Sequence, residues 1–192
     1  MRTKLTKPLR RAATVFTAAL TAIVMLAAPA LAHEPVILDS SDVLPWNGPL
    51  LLDGRAPVGL FGDLPNAGAV RSAQLNFVAG QQVELIYAIP NQAPETTLST
   101  GKLPIVMLIA PDGKASVLSP NIRQVEGPAP YDLMFLNQYS APAVTGTYSL
   151  VVTGLAPSRF VISVGPESDL VPQIARGEFA TLDQVNEWYG IS

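Results

Sequence analysis

No cysteine occurs among the 192 residues, and histidine occurs once, at His33. Without cysteine there is no disulfide to hold the fold, no thiolate nucleophile and no thioether lipid anchor. With no histidine beyond His33, the sequence offers no base for a Ser-His or Cys-His nucleophile in its body, and no ligand set for a zinc hydrolase. Charged residues make up only 14% of the chain against 48% hydrophobic, so stability must come from burial. Helix signals are missing from the whole middle of the chain.

One long apolar run is present. Arg2, Lys4, Lys7, Arg10 and Arg11 precede an apolar stretch from Ala12 to Ala28, and Ala30-Leu31-Ala32 follows. These are the three regions of a cleavable secretory signal, so residues 1–32 are expected to be removed and His33 to become the first residue. The product is expected to be secreted or periplasmic. No second run approaches the length of a membrane span, which predicts no transmembrane segment after cleavage. The cut removes five basic residues and no acidic one, leaving seven basic against fifteen acidic residues, a net charge of −8. That balance argues against nucleic acid and anionic lipid as partners.

Residues 33–55 read as an irregular entry segment because of Pro35, Pro45 and Pro49. Residues 56–165 read as strands. Arg71 to Phe77 alternates with period two and places Ala73, Leu75 and Phe77 on one face. Gln82 to Ile89 begins with the same alternation and then loses it, as a strand covered on both faces would. Ile105 to Ala110 is an apolar run of strand length, and Pro111-Asp112-Gly113 supplies a turn. Val58–Phe61, Ala115–Leu118, Tyr131–Leu136, Gly146–Thr153 and Phe160–Val164 complete the series. The expectation is an all-β fold: a single antiparallel β-sandwich of about eight strands, jelly-roll or immunoglobulin-like, with a short C-terminal helix.

Residues 166–192 read as a helical tail. Thr181 with Gln184 is a capping-box pattern; Leu182, Val185, Trp188 and Tyr189 follow at helical spacing, and Gly190 stops the helix. Ser168–Arg176 offers a second short helix. Packing of the tail on the sandwich, over an open edge, competes with a role as a docking helix that presents Trp188 to a membrane protein.

Three stretches carry a family resemblance: Phe77-Val78-Ala79-Gly80-Gln81-Gln82-Val83, Val106-Met107-Leu108-Ile109-Ala110-Pro111-Asp112-Gly113 and Thr145-Gly146-Thr147-Tyr148-Ser149-Leu150-Val151-Val152. The run from Arg71 to Gly165 resembles the bacterial pre-peptidase C-terminal type of domain. The resemblance covers about half of the exported chain and implies an accessory module of the kind attached to secreted hydrolases. No catalytic domain is expected beside it, which departs from that setting. Tyr148 also sits where a tyrosine corner would tie its hydroxyl to nearby backbone.

His33 is the candidate metal residue. An amino-terminal histidine offers its α-amino group and its imidazole to Cu(II), but copper sites of this kind want a second imidazole, and only the carboxylates of Glu34, Asp39 or Asp42 are near in sequence. Asp39 and Asp42 also raise calcium, against a reading as turn caps. Met107 and Met134 lie in apolar runs and read as core. Glu95, Glu126 and Asp132 are the carboxylates that loops would have to bring together for acid–base chemistry; nothing in the spacing does so. Trp46, Tyr131, Tyr139 and Trp188 are the candidate partner-binding aromatics, suited to a carbohydrate or a protein, with the connections Asn91–Lys102 and Ser119–Pro130 framing a site. The competing reading, and the one the sequence favours, is that those rings cap the core. Three functions therefore stand side by side: a non-enzymatic binding or accessory module, a copper-handling protein, and an envelope component.

Overall fold

The computed structural model describes residues 33–126, 131–165 and 169–191; the predicted signal, residues 1–32, lies outside them. Twelve strands and one helix are present among the described residues, in place of the expected eight or so strands. They are β1 (Glu34–Leu38), β2 (Leu50–Leu51), β3 (Val58–Leu64), β4 (Val70–Phe77), β5 (Gln82–Pro90) and β6 (Ile105–Ile109). After them come β7 (Ala115–Leu118), β8 (Gln124–Glu126), β9 (Leu133–Pro142), β10 (Gly146–Thr153), β11 (Ser158–Val164), β12 (Ile174–Arg176) and α1 (Leu182–Tyr189).

The strands form two six-stranded sheets. One has the order β1-β3-β11-β5-β9-β8, the other β12-β2-β4-β10-β6-β7. Alternation sorts the side chains. On β10, Tyr148, Leu150 and Val152 are buried; opposite them on β4 lie Leu75, Ala73 and Arg71. Leu60, Leu85, Phe160 and Ile162 of the first sheet join Leu75, Val106, Leu108 and Leu150 of the second in one apolar core. Two sheets that each bury one face against the other are the arrangement in which such alternation is stable.

Two features depart from the sequence reading. The sheets are mixed, because β1 runs parallel to β3 and β2 parallel to β4. Both strands come from the segment expected to be irregular. Pro35 hides β1 from pattern reading, yet β1 is an edge strand, where a missing N–H costs no ladder bond. The tail also differs from expectation. The part of Ser168–Arg176 that falls among the described residues holds β12, not a helix, and β12 pairs with the edge strand β2. The tail thus does cover an edge through β12.

The helix α1 covers a face instead. Its Val185 is buried with Phe61 of β3 and Val161 of β11, on the outer side of the first sheet, with Ile37 and Leu133 alongside. Thr181 and Gln184 form the reciprocal capping box, and Gly190 ends the helix in the left-handed region at φ 87°. Among the described residues, no helix is long and apolar enough to cross a membrane.

Tyr148 ties down the β9–β10 corner: its hydroxyl accepts the Val144 N–H at 2.9 Å. Tyr148→Phe is expected to lower stability by about 1–2 kcal/mol, because a part-buried N–H loses its acceptor. Urea unfolding checks this, and an unchanged midpoint would mean that solvent replaces the hydroxyl.

Candidate functional site

The two sheets part on one side of the molecule. There the chain leaves β7, the edge of the second sheet, and crosses to the first at Ser119–Arg123. The Asn121 and Ile122 N–H groups both donate to the Leu136 carbonyl, and the Asn137 side chain donates to the Ser119 carbonyl at 2.6 Å. β8 then pairs with Leu133–Phe135 only. The second half of β9 is left as an edge facing β7, and between the two lies a cleft of about 310 Å³.

Its floor is apolar, formed by Leu108 of β6 and Tyr148 of β10, both buried. Ala110, Ala141, Pro142 and Val144 line its sides. Its rim is polar: Asp112, Lys114 and Ser116 from the β6–β7 turn and β7, with Tyr139 from β9. Ser116 Oγ and the Tyr139 hydroxyl stand 3.4 Å apart across the gap. Asp112 is committed to its own turn, accepting the Lys114 backbone N–H at 3.0 Å. Gly146 lies at φ 138°, and a methyl group there would stand 2.7 Å from Pro111, so its bare backbone lets the β6–β7 turn meet the β9–β10 corner.

The sequence-selected residues scatter. Tyr139 alone lies at the cleft, and it sits in the body of β9 rather than in a loop. Trp46 stands on the β1–β2 connection, 63% exposed. Arg176 secures that connection by donating to the Pro45 and Gly48 carbonyls. Tyr131 and Trp188 are drawn together under α1. The Tyr131 hydroxyl donates to Asn186 Oδ1, its ring meets Tyr189 edge-on, and Trp188 packs edge-on against Phe61 at 5.0 Å. Trp188 Nε1 is buried with no hydrogen-bond partner among the described residues. The apolar face of α1 is thus spent within the chain.

His33 directs Nε2 at the Gly165 carbonyl, 3.2 Å away; a carbonyl only accepts, so Nε2 carries the proton. Among the described residues no group of three or more His, Asp or Glu side chains is placed to hold a metal ion. Asp39 and Asp42 serve their turn. Asp39 Oδ1 accepts from Ser41 N–H and Oγ–H, which holds its carboxyl below the usual range, and Asp42 Oδ2 accepts the Asp39 N–H. Burial pushes the Asp42 carboxyl up.

Met134 packs against the core, whereas Met107 is half-buried. Glu95 is fully buried and engaged by Arg159, and Asp132 is exposed. The side chain of Glu126 lies outside the described residues. The connections Asn91–Lys102 and Ser119–Pro130 do meet, through Arg123 donating to the Leu98 carbonyl at 3.1 Å. They meet beyond the far end of β5, whose near end pairs with the cleft residues Ala141 and Pro142.

Sequence reasoning missed Lys114 and Ser116, placed Leu108 in an apolar strand, and read Tyr148 as an inward residue and a tyrosine corner, not as part of a site. The available signal was the Pro111-Asp112-Gly113 turn, which places Lys114 at a strand start. A scan against protein-family models gives no match to this chain, and a search of curated proteins gives none.

Proposed function

We propose that this chain is an exported, non-enzymatic ligand-binding module built as a jelly-roll β-sandwich, with its ligand site in the cleft between β7 and β9. The observation that carries the reading is the cleft itself. An apolar floor under a polar rim, open on one side, is the form of a small-molecule site. It draws residues from four strands and both sheets, so the scaffold holds it rigidly.

The jelly-roll reading rests on the strand runs β3-β11-β5-β9 and β4-β10-β6-β7 within the two sheets, which interleave as two Greek keys do. The accessory character rests on the resemblance to pre-peptidase C-terminal domains. The three stretches that carry it meet at this end of the sandwich, where the Ala79 N–H donates to Thr145 Oγ1 and Pro111 abuts Gly146. Export rests on the leader pattern of residues 1–32.

Amide chemical-shift mapping tests the site with a panel of decanoate, decanol and methyl glucoside. Shifts confined to Ala110, Ser116, Tyr139 and Val144 for any member are the expected result. Shifts centred on Trp46 or α1, or none from the whole panel, would overturn it. Amino-terminal sequencing of protein recovered outside the cytoplasm tests export, with His33 as the expected first residue.

A further inference from the structure

The cleft has a polarity that narrows its ligand. Lys114 lines it, and the Lys114 ammonium makes no ion pair or hydrogen bond among the described residues. Among the described residues Arg55, Arg71 and Arg159 are paired with carboxylates, Arg123 and Arg176 donate to backbone carbonyls, and Lys102, away from the cleft, shares the unpaired state of Lys114. On a chain with an excess of acidic residues, Lys114 is the cation that stands at the mouth of this cleft. The one carboxylate on the same rim, Asp112, spends Oδ1 on the Lys114 backbone N–H.

Beside Lys114 stand two hydroxyls, Ser116 Oγ and the Tyr139 hydroxyl, whose mutual 3.4 Å separation is long for a hydroxyl pair and leaves both able to donate outward. Below the rim lie Leu108, Ala110, Val144 and the Tyr148 ring. The Tyr148 ring is buried, so most of the surface left to a ligand's body belongs to Ala110, Ala141, Pro142 and Val144, which suits an alkyl chain.

The geometry points to a small carboxylate amphiphile as the ligand, its head held by Lys114 with the Ser116 and Tyr139 hydroxyls and its alkyl body on Leu108 and Val144. This assignment rests on the cleft being the ligand site. A volume of about 310 Å³ takes roughly ten non-hydrogen atoms, at the ~30 Å³ of a water molecule in the liquid. That is the size of a medium-chain carboxylic acid. The head is ionised at neutral pH, and its bond to an ammonium is charge-assisted.

The experiment compares decanoate with decanol, which shares the alkyl body and lacks the charge, on the full chain by calorimetry and shift mapping. Decanoate is expected to bind about tenfold more tightly, the weight of one hydrogen bond to a charged group. High salt should narrow that margin. Lys114→Gln should reduce decanoate to the level of decanol, and Lys114→Arg should restore most of the difference. Lys114 is exposed on a turn, so neither variant threatens the fold.

Equal affinity of the wild type for decanoate and decanol, or full decanoate affinity in Lys114→Gln, overturns the carboxylate assignment. Shifts still confined to Ala110 and Val144 would then leave the cleft as the ligand site. Tighter binding of methyl glucoside also overturns it, in favour of a sugar. Silence at the cleft with every probe overturns the assignment and the site together. The comparison of decanoate with decanol on the wild type stands whatever the variants do.

Discussion

Glu95→Ala should lower the unfolding free energy by about 3–5 kcal/mol, the cost of leaving one partner of a buried ion pair alone. Glu95 lies on the short turn Glu95–Thr97 and is wholly buried. Both of its oxygens are taken by Arg159: Nε and the backbone N–H donate to Oε1 at 2.8 Å, and Nη2 donates to Oε2 at 2.9 Å. The same guanidinium reaches the end of α1, where Nη1 donates to the carbonyls of Trp188 and Tyr189. Those carbonyls have no partner inside the helix, and the negative end of the helix favours a cation there. The Trp188 ring lies 5.8 Å from the guanidinium carbon.

Removal of Glu95 therefore strands a cation and a backbone donor together, and weakens the seat of the helix. The Arg159 side chain keeps 19% of its exposure, so water softens the loss and the lower half of the range is expected. Urea unfolding at constant m-value reads the change. A shift below about 1 kcal/mol would show that the pair behaves as a surface one. The double variant Glu95→Leu with Arg159→Met should recover most of the loss, since an apolar pair leaves no charge buried.

Phe160→Ala should cost a similar amount, about 3–5 kcal/mol, by the loss of a buried ring and the cavity it leaves. Phe160 is fully buried on β11, directly opposite Gly62 of β3. A methyl group at Gly62 would stand 2.6 Å from the ring, so the glycine is the space the ring fills. Gly62→Ala alone should cost about 1–3 kcal/mol by overpacking. Combined with Phe160→Leu, it should cost less than the sum of the two, because a smaller side chain gives the methyl room. Strict additivity in thermal unfolding would show that the two positions do not share that space.

Much of the sandwich was legible because the long strands carry their own pattern. β10 alternates cleanly, and on β4, β10 and β11 the residues expected to face inward are buried, although β4 and β11 bury outward residues such as Ser72 and Val161 as well. The helix was legible from its capping box. The short strands β2, β8 and β12, of two or three residues, were not legible. A strand that short has no period to read, and its partner specifies it. β9 runs on to Pro142 through Asn137, Gln138, Tyr139 and Ser140, a polar stretch that reads as loop. It remains extended because β5 pairs along its whole length.

The cleft was illegible for a related reason. It arises where β7 and β9, consecutive long strands of different sheets, diverge. That divergence is set by the crossing at Ser119–Arg123, not by any motif. Trp188 and Tyr131 were chosen as exposed aromatics, but their spacing held no information about the face of the first sheet that they cover. Lys114 was passed over because one lysine after a turn is ordinary until the surrounding walls are known.

The pairing of the N-terminal segment with the tail has a consequence for how the chain is made. β2 is joined on its outer side by β12, the Leu52 N–H donates to the Gln173 carbonyl, and the Ala180 N–H donates to the Pro35 carbonyl. A ribosome delivers residues 33–55 first and residues 173–180 more than a hundred residues later. At ~5–20 residues per second, the early strands wait several seconds for these partners. Contacts this distant in sequence form late and slowly. The two outer strands of the second sheet on this side can therefore pair only after residues 173–180 have been made, so this edge is the last part of the sandwich to close.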